Sequence, residues 1–520
     1  MLKLGLGIDK TRKKISAFDA DAQDFFNRVT AAGGTLTATE QSAVNTLVLE
    51  LKGYSIWSSM NAIYPMVGAS AAACAQNLKS SSFTGSFTAG WTFASTGVTP
   101  NGTSAYFDTA LNTLTNLTTT STHLSIYVRN NIVGAEYDLA NASNIGLTTS
   151  PTYIISRYTG SLTFGGIADT TYGTNTASTN SSGFSSVATN GTRLQNLYKN
   201  GISIVNSTGS GSFANNNLYL GAANGGGTAV FFSTKEYAFC SIGNGLNATN
   251  QSNFYTAVQT FNQTLSRQVG AQIVSDADAQ AYINRVYAAG GTLTNTEATA
   301  VNQLTIDMKA SNVWTSMKAI YPMIGSSAAA CAQNLKSSSF TGSFSSGWTF
   351  ASTGVTPNGT SAYMDTLFNV TNDFSATTRH LSYYNRTNSA SGYDMGAGTP
   401  LIDTMICNRF TATSNAFTDF GATAGYTQFA TTAVGFLQGC NIANSEKLYK
   451  NGILLITRAN TILNTNLKIY IGALNNNGSP AAYTNHQCAF SSIGDGLTDL
   501  QASDLYTNVQ TFNTTLSRQV

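Results

Sequence analysis

The sequence GWTFASTGVTPNGTSAYFD at residues 90–108 recurs at residues 347–365 with a single change, from Phe to Met. The likeness extends outward, since residues 68–106 and 325–363 differ at only three of 39 positions. The copies are offset by 257 residues there and by 251 near the end of the chain. Repeats this long are whole domains, because solenoid units span about 20–50 residues. The chain is therefore interpreted as two tandem copies of one unit.

The extent of the repeat divides the chain into three parts. Residues 1–16 have no second copy and are predicted to be an N-terminal anchoring arm. Residues 17–269 and 275–520 are predicted to be two domains, each with a helical lead-in and a β-sandwich. The boundary between them is expected in Gly270–Ser275.

The predicted arm has a strand-like pattern. Four apolar residues alternate with lysine and glycine, namely Leu2, Leu4, Leu6 and Ile8 with Lys3, Gly5 and Gly7. This alternation suits an edge strand added to another subunit, with the basic residues at positions 12–14 in solvent. The alternative is a disordered tail.

Helices are predicted at both ends of each copy. Capping boxes at Thr37 and Thr294, each with Glu three residues later, begin helices because the two side chains satisfy free backbone amides. Earlier helices are expected near Asp19 and Ser275. A short third helix is predicted from Trp57 to Ile63, ended by the proline at position 65. One amphipathic helix closes each copy, with Phe254, Val258, Phe261 and Leu265 matched by Leu505, Val509, Phe512 and Leu516.

Strands are predicted in the middle of each copy. Leu124, Ile126 and Val128 alternate with more polar residues, the period of a half-buried strand. Asn-Gly pairs at residues 101, 200, 358 and 451 favour tight hairpins. Strands without interleaved helices indicate antiparallel sandwiches. The predicted fold class is mainly β, with two tandem antiparallel jelly-roll sandwiches, each preceded by a small helical segment and closed by a C-terminal helix.

The order of these segments resembles the concanavalin A-like lectin/glucanase jelly roll in its laminin-G-like form. The resemblance is carried by residues 90–108, the strand at 123–129, the LYKNG hairpin at 197–201, and the segments at 218–222 and 239–243. The DADAQ, AIYPM and VQTFN motifs, which begin at Asp19, Ala62 and Val258, make the chain resemble bacteriophage virion structural proteins. The resemblance implies localisation in the virion, as a head or tail fibre, spike or capsid decoration subunit, with possible host attachment through surface glycans.

The composition narrows the classes of partner. Charged residues make up 10% of the chain and the net charge is +2, so no electrostatic footprint for nucleic acid is present. No apolar run reaches the ~18 residues of a membrane span, so no membrane partner is predicted. The basic cluster follows the first apolar stretch, the reverse of a secretion signal. Of six cysteines, only Cys74 and Cys331 match between the copies, which favours free thiols.

No catalytic residue is predicted. A retaining glucanase needs two carboxylates about 5 Å apart, and the nearest fragment, Glu136-Tyr-Asp138, becomes Gly392-Tyr-Asp394 in the second copy. His123 and His380 recur at the start of a strand, followed by Arg129 and Arg386. A general base is one interpretation, but structural histidines are favoured because no nucleophile recurs beside them. His486 has no histidine counterpart in the first copy.

No cofactor, metal site or carbohydrate-binding residue is identified. Asp108 and Asp365 are candidate calcium ligands, but calcium takes six to eight oxygens, so turn-capping aspartates are favoured. Trp91 and Trp348 are candidate sugar platforms, yet their phenylalanine neighbours favour a place in the core. A ligand surface, if present, is expected in residues 130–195 and 387–445, which are loop-like in composition and vary most. No further range is predicted to contain a ligand site.

The sequence therefore predicts a non-enzymatic virion structural protein, with host surface glycans as candidate ligands. Expected partners are other virion proteins, through the arm, and further copies of the chain in a homo-oligomer. A cell-surface carbohydrate-binding adhesin is the alternative and predicts a secretion signal. A glycan hydrolase is a further alternative and predicts a recurring acid pair.

Overall fold

The computed structural model describes residues 18–421 and 427–520. The predicted arm at residues 1–16 lies outside the described residues. The chain divides into two compact units between Val269 and Gly270, here called unit 1 and unit 2. Among the helices of the described residues, none is long and apolar enough to cross a bilayer.

Unit 1 begins with helices, continues as strands and closes with a helix. Its elements are α1 (Ala20–Ala31), α2 (Ala38–Gly53), a 3₁₀ turn (Trp57–Ser59), β1 (Met60–Tyr64), α3 (Ala71–Cys74), β2 (Ser86–Phe87), β3 (Trp91–Ala94), β4 (Gly97–Pro100), β5 (Phe107–Asn112), α4 (Thr113–Asn116), β6 (Ser121–Val128), β7 (Leu139–Ala142), β8 (Thr152–Tyr158), β9 (Leu162–Gly166), β10 (Asn175–Ala177), β11 (Gly183–Asn190), β12 (Leu194–Lys199), β13 (Ile202–Thr208), β14 (Asn217–Leu220), β15 (Ala223–Gly225), β16 (Thr228–Val230), β17 (Tyr237–Gly243) and α5 (Ala248–Thr264).

Unit 2 repeats this order. Its elements are α6 (Ala277–Ala288), α7 (Asn295–Ala310), a 3₁₀ turn (Trp314–Ser316), β18 (Met317–Tyr321), α8 (Ala328–Cys331), β19 (Ser343–Phe344), β20 (Trp348–Ala351), β21 (Gly354–Pro357), β22 (Met364–Asn369), α9 (Val370–Asp373), β23 (Thr378–Asn385), β24 (Met395–Gly398), β25 (Asp403–Cys407), β26 (Asn415–Asp419), β27 (Thr427–Ala430), β28 (Gly435–Ile442), β29 (Ser445–Lys450), β30 (Ile453–Ala459), β31 (Lys468–Ile471), β32 (Leu474–Asn476), β33 (Ser479–Ala481), β34 (Cys488–Gly494) and α10 (Asp499–Thr515).

Each unit is a sandwich of two sheets. In unit 1 the first sheet runs β13-β12-β11-β6-β17-β4-β3, with β1 also on β17, and the second runs β10-β9-β8-β7-β14-β5-β2. The pairs along both paths are antiparallel, and β15 adds to β7 in parallel. Unit 2 has the same strand orders in its two sheets. The prediction of two tandem antiparallel sandwiches with leading and closing helices is confirmed.

The helices cover the outer face of the first sheet. Along β6, Leu124 and Ile126 point into the core between the sheets, whereas Tyr127 points into a second core against the helices. Phe25 of α1 and Phe254 of α5 belong to that second core. Because both faces of the sheet are buried, β6 is buried almost throughout its length.

The predicted third helix is wrong. Trp57–Ser59 form only a 3₁₀ turn, and Met60–Tyr64 form β1, which pairs with β17 across a bulge. Tyr64 packs in the inter-sheet core and Ile63 in the core under the helices. The apolar run is therefore a strand buried on both faces, a pattern that mimics a buried helix in sequence.

A buried arginine ties the closing segment of each unit to this strand. The Arg267 guanidinium donates to the carbonyl oxygens of Met66 at 2.7 Å, Pro65 at 2.6 Å and Ala238 at 2.8 Å, and to the Asn262 side chain at 2.8 Å. Arg518 makes the matching four bonds in unit 2. These contacts explain why the Tyr-Pro-Met and Ser-Arg-Gln-Val segments recur together.

Candidate ligand-binding site on the second sheet

The outer face of the second sheet in unit 1 carries an aromatic cluster. Along β7 and β8, Leu139 and Ile154 point into the inter-sheet core, so their neighbours Ala140, Tyr153 and Ile155 point outward. The outward residues form a separate buried cluster. The cluster lies on the side of the sandwich opposite the helices.

Five aromatic rings of this cluster line an open cavity of about 350 Å³. The lining residues are Tyr137, Gly146, Ile155, Tyr158, Phe164, Tyr172 and Phe231. The Tyr137 ring centroid lies 6.2 Å from that of Tyr158 and 5.3 Å from that of Phe231. Tyr158 contacts Phe164 edge-on at 5.9 Å. Ligand pockets in proteins span roughly 300–1,000 Å³, so the cavity has room for a small ligand.

The chain holds these rings in place by contacts outside the cavity. The Tyr137 amide donates to the Phe231 carbonyl at 3.1 Å, and the Tyr172 hydroxyl donates to the Leu147 carbonyl at 2.5 Å. Tyr153 stacks on Tyr172 with centroids 4.7 Å apart. Gly166 is needed opposite Tyr153, because a Cβ there would lie 2.5 Å from the tyrosine ring. Tyr137 and Tyr172 are therefore held in place by backbone hydrogen bonds.

The cavity is electrically neutral. None of its seven described lining residues carries a charged side chain. Burial raises the pKa of Tyr172, so its phenol stays protonated. The nearby Asp169 carboxylate accepts hydrogen bonds from Thr171 at 2.7 Å and Gln195 at 2.8 Å, so its charge is already satisfied. The site thus suits an uncharged ligand with an apolar face and hydroxyl groups.

Unit 2 builds the same face from different side chains. Strand register places Tyr393, Phe410 and Phe417 where unit 1 has Tyr137, Tyr158 and Phe164. Their ring centroids are 5.0 to 5.6 Å apart. The positions of Tyr153, Ile155 and Phe231 are taken by Met405, Cys407 and Ala482. The two faces therefore differ in chemistry while the sheet is the same.

The stretches predicted to be loop-like are a mixture of strands and connecting segments. Residues 130–195 contain β7 to β11, and residues 387–445 contain β24 to β28. Their Gly, Ser, Thr and Asn content suggested loops, but these small residues lie between outward aromatics and inward aliphatics. Six of the seven cavity residues fall in 130–195, and Phe231 falls outside it. Sequence reasoning did not name these residues, and the signal available was the spacing of tyrosines in this stretch.

His123 and His380 are structural. The His123 ring is fully buried, with Nδ1 2.7 Å from the Asn244 carbonyl and Nε2 3.1 Å from the Ser241 hydroxyl. Burial lowers the pKa of His123 to about 4. His380 repeats the arrangement with Ser492 at 3.0 Å. A Ser–His pair of this kind resembles a nucleophile and its base, but both groups lie under the helices, away from solvent.

The candidate acids occupy a buried polar cluster at one end of each sandwich. Asp138 accepts hydrogen bonds from Tyr237 at 2.7 Å and from Lys235 at 3.3 Å, and all three side chains are fully buried. Glu136 accepts from the Thr234 hydroxyl at 2.7 Å. In unit 2 the place of Lys235 is taken by His486, which lies 2.6 Å from Asp394. His486 thus has a counterpart in unit 1, although it is a lysine.

The other sequence candidates have local partners. Asp108 accepts from the Ala110 amide at 2.8 Å and Asp365 from the Leu367 amide at 2.8 Å, which is the geometry of a turn cap. Trp91 is half-buried against the inter-sheet core and meets Phe87 edge-on at 5.1 Å, as Trp348 meets Phe344. No group of three or more metal-ligating side chains occurs within residues 18–421 and 427–520.

Arg129 and Arg386 also have structural partners. Arg129 donates to the Arg267 carbonyl at 2.8 Å and pairs with Glu236 at 2.9 Å. Arg386 donates to the Arg518 carbonyl at 2.6 Å and to the Gln487 side chain at 2.7 Å. The six cysteines are buried free thiols.

Solved structures with partial likeness to the chain include an arabinanase domain and two sialidases. Domain 4 of AbnA, a GH43 extracellular arabinanase from Geobacillus stearothermophilus, matches at 13% identity and a TM-score of 0.29, over 36% of this chain and 98% of that one. The NanB sialidase from Streptococcus pneumoniae matches at 13% identity and 0.20, over 26% and 23%. A mutant of Trypanosoma rangeli sialidase matches at 9% identity and 0.28, over 63% and 49%. No protein-family model matches the sequence, and no curated protein matches it.

Proposed function

We propose that this chain is a non-enzymatic structural protein of a bacteriophage particle that binds uncharged glycans through the outer face of the second sheet of unit 1. The observation that carries the binding proposal is the cavity lined by five aromatic rings and no charged side chain. The role in the particle rests on the sequence motifs that resemble virion structural proteins.

The physical basis of binding is stacking of sugar rings on aromatic faces. The C–H faces of a pyranose are apolar and its edges carry hydroxyls, which suits a surface of tyrosines with apolar rings and polar tips. The rings are held by the protein fold, so little conformational entropy is lost on binding.

The binding test compares matched variants on a glycan array. The full chain, Phe231→Ala and Tyr158→Ala are applied to neutral, sialylated and uronate-containing glycans. Phe231→Ala is expected to fold, because Ala482 occupies that position in unit 2 with a similar positive φ. We expect binding to neutral glycans and about tenfold weaker binding in both variants, equivalent to about 1.4 kcal/mol. Phe410→Ala in unit 2 is the control and leaves this binding unchanged. Equal binding by all four proteins contradicts the proposal.

Membership in the particle is tested separately. Mass spectrometry of purified virions is expected to detect the chain, at several or more copies per particle. Absence from the particle contradicts the structural role and favours the adhesin alternative. Release of reducing ends from a bound glycan by the purified chain contradicts the non-enzymatic assignment.

A further inference from the structure

The buried polar cluster of unit 2 joins the two sheets through a lysine and an asparagine. Lys450 ends β29 of the first sheet, and Asn408 directly follows β25 of the second. The Lys450 Nζ donates to Asn408 Oδ1 at 2.9 Å. The Lys450 side chain is nearly fully buried and Asn408 fully buried. A buried amine therefore contacts a buried carboxamide.

The carboxamide is oriented by an acid on its other side. Asn408 Nδ2 donates to Asp394 Oδ2 at 3.1 Å, and the Asn408 backbone amide donates to the same oxygen. His486 Nδ1 lies 2.6 Å from Asp394 Oδ1. Since the Asp394 carboxylate can only accept, Nδ2 of Asn408 faces Asp394, and Oδ1 therefore faces Lys450. The Lys450 amine therefore contacts the side-chain carbonyl oxygen of Asn408, and the side-chain nitrogen of Asn408 contacts Asp394.

The electrostatics of the cluster favour a neutral amine. Burial lowers the pKa of Lys450 to about 7, against the opposing effect of Asp394, so much of the lysine is unprotonated near neutral pH. Burial alone would lower the pKa of His486, but the neighbouring Asp394 carboxylate raises it above its usual value. Other groups facing the cluster are the Thr484 hydroxyl, 3.3 Å from Asp394 Oδ1, and the Ala433 carbonyl, 3.2 Å from Lys450 Nζ.

We propose that Lys450 and Asn408 form an intramolecular isopeptide bond that cross-links the two sheets of unit 2. The neutral Nζ attacks Cγ of Asn408, a C–N bond forms, and the C–Nδ2 bond breaks. One proton of the attacking nitrogen moves to Nδ2, which Asp394 Oδ2 holds at 3.1 Å, and Nδ2 leaves as ammonia. No oxidant or reductant is involved. His486 is a positioning residue, because it acts only through Asp394.

Unit 1 contains the same cluster without the electrophile. Lys199 corresponds to Lys450, but the residue at the Asn408 position is Ser156, whose hydroxyl donates to Asp138 at 2.8 Å. Lys199 donates to the Ser181 carbonyl at 3.1 Å and to Ser185 at 3.2 Å. A serine has no carbonyl carbon in its side chain, so Lys199 cannot form this bond with it. Unit 1 is therefore an internal control, and the inference is independent of glycan binding.

The test is intact-mass and peptide mass spectrometry of the full chain. We expect the purified protein to be lighter than its sequence by one ammonia and a digest to yield a branched peptide that joins Lys450 to Asn408. Lys450→Arg and Asn408→Ser, the latter copying unit 1, are expected to restore the full mass and to remove the branched peptide. His486→Lys, which copies Lys235, is expected to slow bond formation after refolding without abolishing it.

Two outcomes overturn the proposal. One is a wild-type chain of full mass with no branched peptide after prolonged incubation of the folded protein. The other is a loss of ammonia without a branched peptide, as a succinimide at Asn451-Gly452 would give. Both are measured on the wild-type chain, so neither depends on whether a variant folds.

Discussion

Arg267 and Arg518 show how single residues stabilise each unit. Each guanidinium is fully buried and donates to three backbone carbonyls. Burial lowers the pKa of both to about 10, which still leaves them charged at neutral pH. The guanidinium carbon of Arg267 lies 5.1 Å from the Phe261 ring centroid, and that of Arg518 lies 5.1 Å from the Phe512 ring centroid. Both arginines are therefore part of the packing of their units.

Replacing these arginines is expected to destabilise one unit at a time. Arg267→Met leaves the three carbonyls unpaired, and each unpaired buried group costs about 1–3 kcal/mol, so we expect a loss of about 3 kcal/mol or more. Hydrogen exchange of unit 1 rises while that of unit 2 does not. Arg518→Met is the matched variant, and it is expected to raise hydrogen exchange in unit 2 and to leave that of unit 1 unchanged. Equal destabilisation of both units by either variant contradicts this account.

His486 gives unit 2 a pH dependence that unit 1 lacks. Because the pKa of His486 is raised in the folded state, its stabilising contribution is full below the unfolded pKa of about 6.5 and is lost as pH rises through the folded pKa. Lys450, with a pKa lowered to about 7, contributes the opposite trend if it remains a free amine. The difference between wild type and variant therefore reports on the histidine, provided that intact mass shows the same Lys450–Asn408 bond state in both proteins.

The measurement is denaturant unfolding of unit 2 from pH 5 to 9. We expect wild type to lose stability relative to His486→Lys as pH rises. Lys235→His in unit 1 is expected to introduce the same loss there. Parallel stability curves for wild type and His486→Lys rule out a raised histidine pKa.

At the scale of elements, capping boxes were the most reliable sequence signal. Helices α2 and α7 begin after Thr37 and Thr294 with both reciprocal hydrogen bonds formed. Period-2 alternation also identified β6, in which Leu124 and Ile126 face the inter-sheet core and Tyr127 faces the core under the helices. The strand β1 was mistaken for a helix, since its sequence Met-Asn-Ala-Ile-Tyr is apolar on both faces and does not alternate. Strands β7 to β10 were missed because their small polar residues are typical of loops.

The capping box of α2 also has a role beyond the helix. Glu40 Oε2 accepts from the Thr37 amide at 2.8 Å, while Oε1 accepts from the Gly68 amide at 2.8 Å. Thr37→Ala is therefore expected to cost about 1 kcal/mol, and Glu40→Ala more, because a second amide loses its partner. Thermal unfolding measures both. A smaller effect for Glu40→Ala than for Thr37→Ala contradicts the double role.

At the scale of the molecule, duplication separates a common scaffold from two different surfaces. The helices, the first sheet and the buried arginine recur, whereas the outer face of the second sheet changes its side chains. The repeat and the mainly β fold followed from the sequence because they depend on local patterns. The cavity did not, because its rings lie on segments far apart in the chain and meet only after β7, β8 and β9 pair.

The two units are expected to fold independently. Each contains its own cores between the sheets and under the helices. Fragments 18–269 and 270–520 are expected to give cooperative unfolding transitions within a few degrees of those in the full chain. An unfolded fragment at 25 °C contradicts this expectation and means that the units depend on each other.

The most direct test of the binding account is hydrogen–deuterium exchange of the full chain with and without the tightest-binding neutral oligosaccharide of the array. We predict slower exchange in peptides that contain residues 137–172 and Phe231, which line the aromatic cavity of unit 1. Unit 2 serves as the internal control and is predicted to be unchanged around Tyr393, Phe410 and Phe417. Protection confined to unit 2, or to residues away from the second sheet, would contradict the assignment of this cavity as the glycan site.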